Sequence, residues 1–280
     1  MPAKKSLAHG RPPTIQKPKA SLSSEATRTL IRTHHTLQKQ HAKAIKDGDD
    51  AKAASIQRQI DQQGGLRSYQ QASITGQSAE RGGDSSKVLM EWLDPEIEAF
   101  KTCSGENARL RLLEVGALSP SNACSRSPAL DVTRIDLHSQ HASIQTQDFM
   151  ERPLPCSDEE RFDIISLSLV LNYGPDATGR GEMLRRTTQF LRGQGDSKVF
   201  PCLFLVLPAP CITNSRYMDE SHLISIMNNL GYKILHRKIT AKLVYYLCLH
   251  DSTARANKKS FPKKEINPGK TRNNFCVILR

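Results

Sequence analysis

From residue 110 onward, short apolar runs alternate with amphipathic stretches, and this alternation admits few folds. The segments "RLLEVGAL" (111–118), "LDVTRIDLHS" (130–139), "SIQTQDFM" (143–150), "FDIISLSLVLNYG" (162–174) and "VFPCLFLVLPAP" (199–210) have the length and composition of buried strands. Between and after them, "TGRGEMLRRTTQFLR" (178–192) reads as a helix with Met183, Leu184, Phe190 and Leu191 as its apolar face. "DESHLISIMNNLG" (219–231) reads as a helix closed by Gly231. Parallel neighbours need a crossover, so strands separated by helices predict an α/β chain with a parallel sheet covered on both faces. "KLVYYLCLH" (242–250) and "NNFCVILR" (273–280) follow as sixth and seventh strands with no helix between them. That final pair is therefore expected to be antiparallel.

Five parallel strands and a terminal antiparallel pair make the seven-stranded sheet of the Rossmann-like methyltransferases. A dinucleotide dehydrogenase would not usually end this way. Upstream, residues 24–46 read as a polar helix with Ala26, Leu30, Leu37 and Ile45 as a thin apolar face. "KDGDD" (46–50) reads as a turn, and residues 51–62 as a second helix with Ile56 and Ile60 four apart. The expected organisation is a disordered basic tail over 1–22, a helical hairpin over 23–65 and the α/β domain over 66–280. His34, His35 and His41 on the first helix have no partner cluster for a metal and are expected on a solvated face. Residues 86–93 form a further helix carrying Val88, Leu89, Trp92 and Leu93, and Asp94-Pro95 is expected to start a new turn.

Charge placement narrows the partners. The net charge is +12. Residues 1–20 hold Lys4, Lys5, Arg11, Lys17 and Lys19 without an acid, which is +5; residues 254–272 hold Arg255, Lys258, Lys259, Lys263, Lys264, Lys270 and Arg272 against Glu265, which is +6. Such tracts favour a polyanion, with nucleic acid foremost; nuclear import and solubilisation are the competing readings. The longest apolar stretch, Val199–Pro208, is too short to span a bilayer, and the N-terminus lacks the apolar region of a secretory signal. The seven cysteines form no CxxC pair, so neither a disulfide framework nor a metal site is expected, and a reducing compartment is.

Three residues fall at the strand ends where such sheets bind ligands. Gly116 ends the first strand, and Asp136 ends the second, 20 residues later, where a carboxylate grips ribose hydroxyls. Asp148 ends the third, followed by Phe149; the acid can accept from an adenine amino group and the ring can pack on the base. "GALSP" (116–120) lacks the second glycine of a pyrophosphate loop, which a ligand without phosphates tolerates. Singly, these residues read better as a strand terminus and surface acids; together they favour a nucleoside cofactor. Ser168 begins "SLVLNYG" at the end of the fourth strand, where Asn172 could hydrogen-bond and Tyr173 could stack on a base. The competing reading is a loop exit with a capping asparagine. "RGGDSSKVLMEWL" (81–93) precedes the first strand and is not a P-loop; Asp84 or Ser85 is expected to cap its helix.

"YQQASITGQSAERGGDSSKVLMEWL" (69–93), "LLEVGALS" (112–119), "RIDLHS" (134–139), "QDFMERPLP" (147–155), "FDIISLSLVLNYGPDATGRGEMLRRTTQFL" (162–191) and "LFLVLPAPCITNSRYMDESHLISIMNNLGY" (203–232) resemble the fungal 25S ribosomal RNA adenine-N(1) methyltransferases of the nucleolus. The resemblance runs from about residue 24 to 280. It implies transfer of methyl from S-adenosyl-L-methionine (SAM) to N(1) of an adenine in large-subunit rRNA during ribosome biogenesis, in the nucleus and nucleolus. It implies a monomer acting on rRNA or a pre-ribosomal particle, with no membrane partner. By position it implies SAM contacts at Gly116, Asp136, Asp148 and Phe149, with Ser168, Asn172 and Tyr173 at the acceptor site. Arg81 falls at the methionine carboxylate, or pairs with a nearby acid. Animal relatives of the same fold bind SAM as a signal, so a non-catalytic SAM sensor is the second function considered.

Overall fold

The computed structural model describes residues 23–65, 68, 84–139, 141–174, 176–193, 195, 197–252 and 259–280. The expected disordered tail and Arg81 lie outside these residues. Seven strands form one sheet: β1 (Leu110–Val115), β2 (Leu130–Asp136), β3 (Gln145–Thr146), β4 (Ile164–Ser168), β5 (Cys202–Pro208), β6 (Tyr232–Ile239) and β7 (Leu243–His250). Their spatial order is β3-β2-β1-β4-β5-β7-β6. The first five strands run parallel, and β7 runs antiparallel to both of its neighbours.

The continuous apolar runs follow from burial on both faces. Successive side chains of a strand point to opposite sides. Accordingly Leu113, Val115, Leu203, Leu205, Leu207, Tyr246 and Cys248 join one apolar cluster, and Leu110, Leu112, Phe204, Val206 and Leu247 join the other. The first face is covered by α5 (Ala177–Phe190) and α7 (Glu220–Asn229), the helices expected there; Met183, Leu184, Phe190 and Leu191 are all buried. The second face is covered by α3 (Ser86–Ser104). Two short helices, α4 (Ala123–Arg126) and α6 (Pro210–Thr213), follow β1 and β5.

Pro95 does not end α3, contrary to expectation. Proline removes one backbone donor and crowds the preceding turn. Leu89, Leu93 and Ile97, spaced four apart, are all buried on the sheet, and a buried Leu contributes about 1.5–3 kcal/mol. That common face carries the helix through the proline. Trp92 stacks on His236 at 5.4 Å and meets Phe204 edge-on at 6.1 Å, fixing the helix against the sheet.

The seventh strand is not 273–280. It is Tyr232–Ile239, directly after α7, which turns back into β7. Residues 273–280 instead form a strap across α5, with isolated bridges at Asn273 and Leu279 in place of a strand ladder. β6 is an edge strand, and Lys233, Arg237 and Lys238 interrupt its apolar pattern, as is usual for edges kept from pairing further. The third strand is also shorter than expected, two residues in place of 143–150.

Before the sheet, α1 (Ser24–Lys46) and α2 (Asp50–Gln62) make the expected hairpin around their own small core of Leu37, Ala44, Ala53, Ile56 and Ile60. Among the described side chains of α1, Thr27, His34, Leu37 and Ala44 are buried, spaced in sevens and threes like a coiled-coil seam. The expected face is therefore corrected: Ala26 is exposed and Ile45 is 58% exposed. His34 is buried, not solvated, and burial holds its pKa below the ordinary value.

Candidate active site

Strand register assembles the site. Val115 lies opposite Ile135 on one side and Leu167 on the other, so Gly116, Asp136 and Ser168 come next on three adjacent strands. Asp136 pairs with Thr146, and Asp148 follows two residues later. Four of the expected site residues thus meet along the carboxyl edge.

Gly116 is required there. Its φ is +76°, and an added Cβ would lie 2.5 Å from Val170 Cγ2, on the loop leaving β4. Its N–H and that of Ala117 both donate to the Ile135 carbonyl, at 2.8 and 3.1 Å, closing a turn with no side chain over the edge. Asp136 Oδ1 accepts from the His138 N–H at 2.8 Å, which fixes the carboxylate. Oδ2 has no hydrogen-bond partner among the described residues, and burial holds this carboxyl above its ordinary pKa. Asp148 is oriented in the same way, with Oδ1 accepting from the Met150 N–H at 2.7 Å.

Phe149 departs from its expected role. It is 3% exposed, its ring lying against Phe190 at 5.4 Å with the Arg186 guanidinium over it. A ring filled on these sides is core and has no open face for a base. The apolar surface at this edge is Leu137, 54% exposed directly after Asp136.

The loop leaving β4 is strained and pinned. Leu169 has φ +58°, sparsely populated for a residue with a side chain. Leu171–Tyr173 form one tight 3-10 turn. Asn172 Oδ1 is buried without a hydrogen-bond partner, and Tyr173 is 39% exposed. Ser168 Oγ shares a 2.8 Å hydrogen bond with Ser85 Oγ, tying the loop to the start of α3. From behind, Arg180, 5% exposed, donates to the Gly174 carbonyl at 2.9 Å and to the Cys276 carbonyl at 2.8 Å, with its guanidinium over the Phe275 ring. The loop leaving β4 is thereby fastened to the C-terminal strap.

Two residues of the site, Glu114 and Arg180, were not singled out from sequence. Glu114 lies in β1, 8% exposed; its Oε1 accepts from Asn122 Nδ2 and its Oε2 has no partner. Burial pushes its pKa up to about 7, with Asp84 adding to the rise, while Asn122 and Arg134 oppose it. An acid inside "LLEVG" is the signal that could have found it, since a buried carboxylate needs a partner. Of the two expected caps, Ser85 is the N-cap of α3; Asp84 stands just before it, with Oδ1 accepting from the Ser86 N–H at 2.9 Å and Oδ2 from the Ala123 N–H at the start of α4. Arg180 had no local signal, because its partners lie 6 and 96 residues away.

Comparison with known proteins shows the family. Residues 54–277 match the model of the family described as 25S rRNA (adenine(2142)-N(1))-methyltransferase, Bmt2. A 25S rRNA adenine-N(1) methyltransferase of Schizosaccharomyces pombe is 40% identical over 249 residues, covering 89% of each chain. A 25S rRNA (adenine(2142)-N(1))-methyltransferase of Saccharomyces cerevisiae is 38% identical over 268 residues, covering 93% of this chain and 75% of the other. Among solved structures, a 1,6-didemethyltoxoflavin-N1-methyltransferase of Burkholderia thailandensis with bound S-adenosylhomocysteine aligns with TM-score 0.41 and 11% identity, over 65% of this chain and 87% of that one. The chain belongs to the 25S rRNA (adenine(2142)-N(1))-methyltransferase family, Bmt2.

Proposed function

We propose that this chain methylates N(1) of an adenine in large-subunit rRNA, using SAM, as a monomer acting on rRNA or a pre-ribosomal particle in the nucleolus. The observation that carries the reading is the carboxyl-edge cluster: a tight turn at Gly116 that admits no side chain, a fixed Asp136 with one oxygen free among the described residues, and a buried Glu114 oxygen lacking a partner among them. These suit a cofactor with a ribose at one end and a cationic amino acid at the other. Asp136 Oδ2 accepts from the ribose hydroxyls and Asp148 accepts from the adenine amino group. Leu137 offers the apolar surface beside them, the part first expected of Phe149. Glu114 and Asp84 form a negative pole suited to an α-ammonium.

When bound, SAM supplies a sulfonium-activated methyl group that passes to N(1) and leaves S-adenosylhomocysteine. Adenine N(1) carries an in-plane lone pair, so the chain needs no base to deprotonate it. Its task is alignment and exclusion of water. Asn172 Oδ1 is suited to accept from the target base's amino group, Tyr173 to stack on its ring, and Ser168, held by Ser85, to set the edge between the two sites. The basic tracts suit an RNA substrate and nuclear import.

The test is label transfer from SAM to large-subunit rRNA lacking the modification, with the methylated atom mapped. One labelled adenine N(1) is expected. Asp136→Ala is expected to weaken SAM binding roughly 10- to 100-fold, the effect of losing a charge-assisted hydrogen bond, and to abolish transfer. Tight SAM binding without transfer to any rRNA or precursor would make the chain a SAM sensor instead.

A further inference from the structure

The basic tract ahead of the C-terminal strap is docked, and its place bears on how substrate is held. Its lower part, 259–272, folds onto the loop that leaves β5. The Ile266 and Asn267 N–H groups donate to the Arg216 carbonyl at 2.9 and 3.1 Å, and Asn267 Nδ2 donates to the Ser215 carbonyl at 3.2 Å. The Arg216 guanidinium donates to the Gly269 carbonyl at 2.8 Å and to Asn274 Oδ1 at 2.9 Å. Phe261 within the tract and Phe275 just after it are buried in the core. A solubilising tail has no need of this anchoring.

The tract's cations have no acidic partner among the described residues. Lys259, Lys263, Lys264 and Lys270 are exposed, and neither they nor Arg272 form an ion pair among the described residues. Glu265 is the one acid between 259 and 272. Lys263 Nζ stands 4.2 Å from the centre of the Tyr217 ring, which holds it on the loop leaving β5. β5 pairs with β4, Ser168 lying opposite Val206, so this loop leaves the same carboxyl edge as the acceptor loop. The strap that continues from the tract meets Arg180, which holds Gly174.

We propose that residues 259–272 form a cationic shelf that holds the phosphodiester backbone of the RNA substrate beside the acceptor loop. This rests on the rRNA methyltransferase reading and adds the surface on which the substrate lies. Phosphates reward fixed, unpaired cations by counterion release, and they carry no demand for base identity.

The test is the full chain with Lys263, Lys264, Lys270 and Arg272 each changed to Gln, beside the unchanged protein. Affinity for an rRNA fragment is measured across a potassium chloride series, with SAM affinity and transfer kinetics. The logarithmic salt slope is expected to fall by roughly 3, since each phosphate contact contributes about 0.7–0.9. KM for RNA is expected to rise about tenfold or more, with kcat at saturating RNA, SAM affinity and unfolding temperature unchanged. If the unchanged protein methylates rRNA and the variant shows the same KM and slope, the shelf is wrong and the methyltransferase reading stands. If the unchanged protein binds rRNA through these side chains but transfers no methyl, the shelf stands and the methyltransferase reading falls. Loss of binding to an acidic protein or polyglutamate with RNA binding intact would also overturn the shelf.

Discussion

Glu114 is the residue whose chemistry follows most directly from its surroundings. An unfolded glutamate releases its proton near 4.5, while the buried one keeps it to about 7. The folded state therefore holds more proton across that window, and stability falls as pH rises through it. The full shift corresponds to about 3 kcal/mol. Glu114→Gln is expected to raise the unfolding temperature relative to the parent at pH 8 and to give no gain at pH 4. A bound ammonium favours the ionised carboxylate, so SAM binding near pH 6.5 is expected to release a proton. Calorimetry in two buffers of different ionisation enthalpy measures this, and the release is expected to vanish in the variant. Equal proton release in both proteins would remove Glu114 from the cationic end of the site.

Among the elements, the C-terminal strap was legible as an apolar run but not as to its place. Phe275, Cys276, Val277 and Leu279 are buried, as in a strand, yet the sheet position is taken by β6. An apolar run reports burial and cannot name the partner. Here the partner is α5: the Ile278 N–H donates to the Ala177 carbonyl at 2.8 Å, and Ile278 lies so close to Gly181 that no Cβ fits. Arg180 joins this strap to the acceptor loop, which makes it a positioning residue. Arg180→Met fills a similar volume, and a buried arginine without a carboxylate partner is often replaced at little cost in stability. The expected result is an unfolding temperature within a few degrees of the parent, unchanged SAM affinity and a kcat at least tenfold lower. Arg180→Lys, which lacks the fork that reaches two carbonyls, is expected to recover only part of it. Unchanged kcat in the Met variant would reduce Arg180 to packing.

At the scale of the whole molecule, the hairpin and the sheet domain have separate cores. No helix among the described residues is long and apolar enough to cross a membrane. Removing residues 1–65 is expected to leave SAM affinity within about twofold and the sheet domain folded with one cooperative transition, because its two apolar clusters draw nothing from α1 or α2. A chain that then fails to fold or bind SAM would show the hairpin to be integral to the domain. The whole-molecule charge also has its place now: part of the +6 tract lies at the carboxyl edge, where substrate must arrive.

The sequence by itself determined the class of fold and the line of the site. Hydrophobic period and crossover logic placed five parallel strands and two covering helices, and spacing alone put Gly116, Asp136, Asp148 and Ser168 at strand ends. These are local patterns repeated along the chain, and the sheet brings equivalent positions into register. Only the tertiary structure decided what depends on contacts distant in sequence. It put Phe149 in the core with Leu137 left open, moved the last strand to 232–239, and turned 273–280 into a strap. It also buried Glu114 against Asn122 and set Arg180 between Gly174 and Cys276. In each case an apolar or charged residue had more than one place to satisfy itself, and packing against remote partners chose between them.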